Sequence, residues 1–274
     1  VSYEYITYQR IGHAGVVLLN RPENMNRMSV QMVAEVRQAF EEAERDLEVA
    51  AIVLGAEGRN YSAGADVGGF KARAEQQDPT AQAAALELRD RMFRSEDSWV
   101  PYILRIEKPT IAAVQGLCVG MGLTTILPFD FRIAAEDARF GMVFVNIGLI
   151  PELTSSALLP RMVGEARALD WCLSGRLVPA QEALAAGLVT RVVPNDELRS
   201  AAIELANQLA SKSPPALMAI RRLLRNQPLE RDIMQILRNE IDTLEVLYRS
   251  PEHRESVNAF LEKRTPNFRS LQHT

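Results

Sequence analysis

The chain is expected to fold as an α/β protein with covered sheets and a helical last third. Three observations predict this. Short apolar, β-branched runs recur without polar alternation, which is how strands buried on both faces read. Segments with helical spacing stand between them. From Asp196 onward the strand-like runs stop, and helical segments punctuated by proline take over.

Taken in order, V-S-Y-E-Y-I-T-Y at the start reads as a strand, and Gly15–Asn20 (G-V-V-L-L-N) as a second, closed by an R-P-E turn. Ser29 has the hydroxyl to cap a helix that carries Met32, Val33, Val36, Phe40, Ala43 and Leu47 at helical spacing. Ala51–Leu54, Pro109–Val114 and Phe131–Ala134 are further buried strands. Between Lys71 and Ser98 the chain turns polar and alanine-rich, with only Leu86, Met92 and Phe93 as anchors. That suits either a weakly held lid near a site or a plain surface helix. Helices are expected at D-E-L-R-S-A-A-I-E-L-A-N-Q-L-A, at P-P-A-L-M-A-I-R-R-L-L, from Leu229 to Tyr248, and from Pro251 to Arg264. This change of character divides the chain into a core, residues 1–195, and a helical C-terminal part, residues 196–274. The R-R-L-L-R cluster from Arg221 to Arg225 reads most simply as a solvated helix face.

Composition narrows the function. Of 274 residues, 24% are charged and the net charge is −4, which argues against nucleic-acid binding, where clustered positive charge carries affinity. No stretch reaches the ~20 apolar residues of a membrane span. The N-terminal residues lack the pattern of a secretion signal, and a cytoplasmic location is expected. Cys118 and Cys172 lie in apolar surroundings and read as buried small hydrophobes in a reducing compartment. His13, His253 and His273 are scattered without ligand spacing, so no metal site is expected.

Two glycine-containing turns are candidates to carry chemistry; each also fits a plain strand–helix connection. S-A-G-A-D, Ser62 to Asp66, follows one strand, and Q-G-L-C-V-G-M-G-L, Gln115 to Leu123, follows another; each is expected to open a helix. Unpaired N–H groups at two such ends form an anion hole if they converge on one carbonyl oxygen. Neither turn matches a phosphate-binding loop. The third feature is Glu152 in G-L-I-P-E-L-T-S-S, a carboxylate inside an apolar run. It must cap the next helix, pair with a cation such as Arg161, or serve a reaction. Asp66 and Asp130 read as acids that stabilise a turn or a strand end.

In combination these pieces resemble the crotonase (enoyl-CoA hydratase/isomerase) superfamily over nearly the whole chain. The matching segments are L-N-R-P-E at 19–23, Y-S-A-G-A-D-V at 61–67, K-P-T-I-A-A-V-Q-G at 108–116 and V-G-M-G-L at 119–123. D-F-R-I-A-A-E-D-A-R-F-G at 130–141, L-P-R-M-V-G-E-A-R-A at 159–168, A-A-G-L-V-T-R-V-V-P at 185–194 and F-L-E-K-R-T-P-N-F at 260–268 complete the series. The resemblance implies a spiral of ββα units with a helical C-terminal subdomain that assembles trimers or dimers of trimers. It implies an acyl-CoA thioester as substrate, with coenzyme A entering only as part of that substrate and no resident cofactor. The thioester oxygen would be held by the backbone N–H groups of Ala65 and Met121. Ala63, Gly64, Ala65, Asp66 and Val67 would hold the adenine end, Lys263 would contact a coenzyme A phosphate, often from a neighbouring subunit, and Phe260 would pack near the coenzyme. Phe70, Trp99, Tyr102, Met142 and Phe144 are expected to line the acyl pocket.

The chain departs from the hydratases of that family. Their two catalytic glutamates would fall at Thr124 and Phe144. A threonine hydroxyl is no base at neutral pH, and a phenylalanine excludes water. The Pro-acid step at Pro151–Glu152 instead resembles Δ3,Δ2-enoyl-CoA isomerases and ring isomerases with one catalytic carboxylate. Phe144, Leu149 and Ile150 are expected to desolvate that carboxylate. The sequence thus favours an isomerase. Another reaction on the same thioester enolate (specialised hydration, hydrolysis, ring cleavage) and a non-catalytic acyl-CoA-binding protein stand as alternatives.

Overall fold

In a computed structural model, residues 2–66, 98–226 and 232–271 are described. Val67, Phe70 and nearly all of the expected lid segment lie outside them.

The strands are β1 (Ile6–Ile11), β2 (Ala14–Leu19), β3 (Ala51–Ala56), β4 (Thr110–Val114), β5 (Leu117–Val119), β6 (Phe131–Ala135), β7 (Arg139–Gly141), β8 (Leu177–Pro179) and β9 (Arg191–Val193). Among the described residues they form a large sheet of order β1-β2-β3-β4-β6-β9 and a small one of order β5-β7-β8. β1 runs antiparallel to β2, and the other neighbours in the large sheet are parallel. The winding repeats. β4 in the large sheet is followed by β5 in the small one, β6 by β7, and β3 by Ser62, which bridges Cys118 of β5.

β2, β3 and β4 are buried along their whole length because both faces are covered. Successive side chains alternate between faces. Val17, Leu19, Ile52, Leu54, Ala112 and Val114 face the main core with helix α1 (Val30–Arg45), whereas Val16, Leu18, Val53, Ile111, Ala113 and Ile133 face helix α7 (Leu198–Ala210). The first helix beyond Asp196 is therefore packed on the sheet through Leu198, Ala202 and Ala206, and joins the helical tail to the core.

Ser29 caps α1 as expected, accepting from the Met32 N–H at 3.2 Å. Lys108 closes its other end, donating to the carbonyls of Ala43 and Asp46 at 2.8 and 2.6 Å. The helix stops at Arg45, so Leu47, expected to face inward, lies past its end and is 57% exposed. Beyond it come α2 (Trp99–Arg105), α3 (Met121–Thr124), α4 (Ser155–Val163), α5 (Glu165–Ser174) and α6 (Ala180–Ala186). The tail continues as α8 (Pro214–Asn226), α9 (Ile233–Tyr248) and α10 (Pro251–Leu261).

The arginine cluster is not a solvated face. Arg221 and Arg225 on α8 reach back to Asp130 at the start of β6, with nitrogen–oxygen separations of 2.9 and 2.6 Å. Arg221 also donates to the carbonyls of Ile103 and Ile106, and Arg225 to that of Pro128. Asp130 in turn accepts from the Thr110 N–H and hydroxyl, at 2.8 and 2.9 Å. Burial alone would raise its pKa. The two guanidinium charges, with the hydrogen bonds from Arg221 and Thr110, outweigh that and hold the carboxyl below its ordinary value. Arg221 and Arg225 turn inward because each of their guanidinium groups finds a carboxylate and carbonyls that water would otherwise replace, while Arg222 between them is exposed.

Candidate active site

The two glycine turns lie side by side. The Ser62 N–H donates to Leu117 O at 2.9 Å, and the Val119 N–H to Ser62 O at 3.1 Å. Gly64 has φ +91°, and a Cβ there would stand 3.1 Å from Val119 O and 3.6 Å from Met121 N, so only glycine lets the turns approach this closely. At Gly122 a Cβ would sit 2.7 Å from that of Ser62, which brings α3 against the first turn.

The same packing leaves two N–H groups unused. Met28 pairs in parallel with Ala65 by donating to Gly64 O at 2.8 Å and accepting from the Asp66 N–H at 3.0 Å. The Ala65 N–H between them points the other way and has no acceptor among the described residues. Met121 is the first residue of α3, where an N–H has no intrahelical partner. It too finds no other acceptor among the described residues. The second turn opens a helix as expected; the residues directly after the first turn lie outside the described ones.

Asn26, which sequence reasoning passed over, holds the first turn in shape. Fully buried with φ +49°, it accepts from the Arg21 N–H at 2.7 Å and donates to the carbonyls of Glu57 and Asn60, both at 2.9 Å. Its own carbonyl accepts from the Ser62 hydroxyl at 2.7 Å, and that hydroxyl accepts from the Gly64 N–H at 3.2 Å. The available signal was an asparagine in a proline turn, the residue type that tolerates a left-handed backbone while its amide bonds locally.

Glu152 belongs to this cluster. Its Oε1 accepts from the Thr124 hydroxyl at 2.6 Å, and Thr124 lies one turn beyond Met121 on α3. Its Oε2 is buried without a hydrogen-bond partner among the described residues. The carboxylate forms no ion pair with Arg161, and α4 receives no side-chain cap. Burial raises the Glu152 pKa above the ordinary glutamate value, and the Thr124 hydrogen bond partly offsets this. Leu153 and Thr154, directly after it, both hold left-handed backbones at φ +53° and +55°, strain of the kind that persists where surroundings over-determine a site.

The expected desolvating neighbours divide. Phe144 is buried, but Leu149 and Ile150 are 51% and 82% exposed, because the turn that ends at Gly148 directs them outward. The recorded partner of the carboxylate is instead Thr124 of α3.

Trp99, Tyr102 and Met142 are buried in the main core. Trp99 packs among Phe40, Tyr102 and Phe129 and donates its indole N–H to Thr125 O at 2.8 Å, directly beside Thr124. The Tyr102 ring lies under the Arg37 guanidinium of α1 at 4.5 Å. Ala63 and Asp66 flank the free N–H of Ala65, with Asp66 3.9 Å from Arg21. Phe260 and Lys263 sit at the end of α10, Phe260 82% exposed and Lys263 at φ +54°. Among the described residues no group of acids, histidines and cysteines is placed to hold a metal ion, and no helix is long and apolar enough to cross a membrane.

Comparison with known proteins agrees with this geometry. A family model described as enoyl-CoA hydratase/isomerase matches residues 12–271. A probable enoyl-CoA hydratase of Rhizobium meliloti is 32% identical over 269 residues, covering 98% of this chain and 99% of the relative. A 1,2-epoxyphenylacetyl-CoA isomerase of Escherichia coli is 34% identical over 250 residues, covering 91% and 92%. The crystal structure of an enoyl-CoA hydratase from Polaromonas sp. JS666 superposes with a TM-score of 0.86 at 30% identity, over 96% of this chain and 99% of that one. With its paired glycine turns, spiral of strands and full-length match, the chain belongs to the enoyl-CoA hydratase/isomerase (crotonase) family.

Proposed function

We propose that this protein is an enoyl-CoA isomerase with Glu152 as its one base. In the forward direction Oε2 takes a proton from the carbon α to the thioester of a 3-enoyl-CoA. The C–H electron pair moves into the bond between the α carbon and the thioester carbonyl and onto its oxygen, in conjugation with the β,γ double bond. The Ala65 and Met121 N–H groups hold the resulting dienolate. The protonated carboxyl then returns the proton to the γ carbon, leaving the double bond between α and β carbons and Glu152 ionised again. No water is added or lost.

The observation that carries this proposal is the state of Glu152 among the described residues: one oxygen held, the other buried without a partner, beside the element that presents an unpaired N–H. The absence of acids at Thr124 and Phe144 supports it, since activation of water in the hydratase manner uses a pair. The names of most relatives favour a second assignment, addition of water to a 2-enoyl-CoA with Glu152 as sole acid and base. Parallel assays separate them. The isomerase assignment predicts turnover of 3-enoyl-CoA and poor hydration of crotonyl-CoA. Hydration approaching the diffusional ceiling of ~10⁸ M⁻¹s⁻¹ would overturn it.

The proposal extends to assembly as a trimer or dimer of trimers. α9 exposes Met234, Leu237, Ile241 and Leu244, and α10 exposes Val257 and Phe260, an apolar surface that association would cover. Lys263 and Phe260 would then lie beside the coenzyme A of a neighbouring copy. Sedimentation at micromolar concentration should give a multiple of the 30.5 kDa chain; a single-chain species would exclude this.

A further inference from the structure

Thr124 has a role of its own. We propose that Thr124 is the positioning residue for Glu152: its hydroxyl clamps Oε1, so that Oε2 alone faces the substrate and carries the proton. This rests on the proton-transfer chemistry proposed above, which it deepens by naming the group that aims the base.

The geometry points to a clamp rather than an incidental contact. Thr124 is fully buried and its hydroxyl carries a single proton. Two acceptors lie in reach, Glu152 Oε1 at 2.6 Å and Met121 O at 3.3 Å. The shorter distance is that of a charge-assisted O–H···O⁻ bond, so the hydroxyl donates to the ionised carboxylate rather than to the Met121 carbonyl. Its neighbour Thr125 is satisfied differently, donating to Met121 O at 2.6 Å, so Thr124 is not needed to close the helix.

A carboxylate with one oxygen fixed has one orientation left for the other. Oε2 then delivers and recovers the proton without the carboxyl rotating between α and γ carbons. Because Thr124 and Met121 share one short helix, the clamp also sets the distance between the base and one of the free N–H groups. Among the described residues burial raises the pKa of the Glu152 carboxyl and the hydrogen bond from Thr124 lowers it, with no charged side chain contributing.

Three variants test this: Thr124→Val, which keeps the shape and removes the donor; Thr124→Ala, smaller, in case valine does not fold; and Thr124→Ser, which restores the hydroxyl. The expected result is a kcat for 3-enoyl-CoA about 10²-fold lower in Val or Ala, the typical cost of a misplaced catalytic group. KM and acyl-CoA affinity should stay within about twofold, because the clamp holds the base and not the coenzyme. The acid limb of the kcat profile should move to higher pH, and Thr124→Ser should recover both. Full kcat with an unmoved acid limb in Val or Ala, or no recovery in Ser, overturns the proposal. A second readout needs no turnover: titration of the ¹³C-labelled Glu152 carboxyl, identified by its loss in Glu152→Gln. If the wild type isomerises nothing, the isomerase assignment fails. The clamp still stands if that titration rises in Val or Ala and returns in Ser. An identical titration in every variant overturns the clamp whatever the activity.

Discussion

Asp130 and Glu152 are both carboxylates in the interior, and the chain treats them in opposite ways. Asp130 sits at a strand end with Arg221, Arg225 and the Thr110 N–H and hydroxyl around it. Among the described residues Glu152 has one hydroxyl and no cation, and one of its oxygens is without a partner. The pKa of the first is held down and that of the second is pushed up. A buried acid whose every lone pair is met is fastening two parts of a fold. One left incompletely met, before two strained residues and beside unused N–H groups, is what the proposed proton transfer would use.

Breaking the satisfied acid should have the largest effect on stability. Asp130→Asn leaves two guanidinium groups, on Arg221 and Arg225, buried against a neutral amide, and chemical denaturation should show a loss of about 3–5 kcal/mol. Turnover per folded molecule should be nearly unchanged, because among the described residues no hydrogen bond or ion pair of that cluster reaches α3 or Glu152.

The pH dependence of stability sharpens the contrast, with opposite signs for the two acids. The Asp130 carboxyl is depressed in the folded state, so its stabilising contribution is present above the unfolded value, about 3.9, and is lost as pH falls through the folded value. Melting of the wild type should therefore fall steeply below about pH 4, and that fall should flatten in Asp130→Asn. The Glu152 carboxyl is raised, so its contribution is complete below the unfolded value, about 4.3, and is lost as pH rises through the folded value. Thermal melts of Glu152→Gln should lie level with or above those of the wild type at neutral pH, and the difference should vanish in acid.

A third acid supplies the small end of the scale. Asp66 is a third exposed and stands 3.9 Å from Arg21, a loose and solvent-screened pair. Asp66→Asn should cost about 0–1 kcal/mol by denaturation. A loss as large as that of Asp130→Asn would mean that solvent contact does not separate these acids.

Much of the fold was legible because long-range order repeats locally. Apolar runs marked β2, β3, β4 and β6, and periodic segments marked α1 and the C-terminal helices. The strands β5, β7 and β8, at three residues each, have no measurable period and escaped notice. The site was half legible. Glycine spacing pointed to the two turns, and the Pro-acid step pointed to Glu152. The rest depends on partners far apart in sequence: Arg221 and Arg225 meet Asp130 across 91 and 95 residues, and Thr124 meets Glu152 across 28. Thr124 registered only as a missing acid, because a hydroxyl reveals its purpose only when its acceptor is seen. Leu149 and Ile150 misled for the same reason, since apolar neighbours in sequence turned outward in space.

The most direct test is a crossed comparison of Glu152→Gln and Asp130→Asn, measuring melting temperature, acyl-CoA affinity and 3-enoyl-CoA turnover on the same preparations. Glu152→Gln should melt no lower than the wild type at pH 7 and bind acyl-CoA equally, yet lose about 10²–10⁴-fold in turnover, the cost of removing a general base. Asp130→Asn should melt lower and turn over normally while folded. A Glu152→Gln protein that is less stable but fully active would contradict the account, making Glu152 the structural acid.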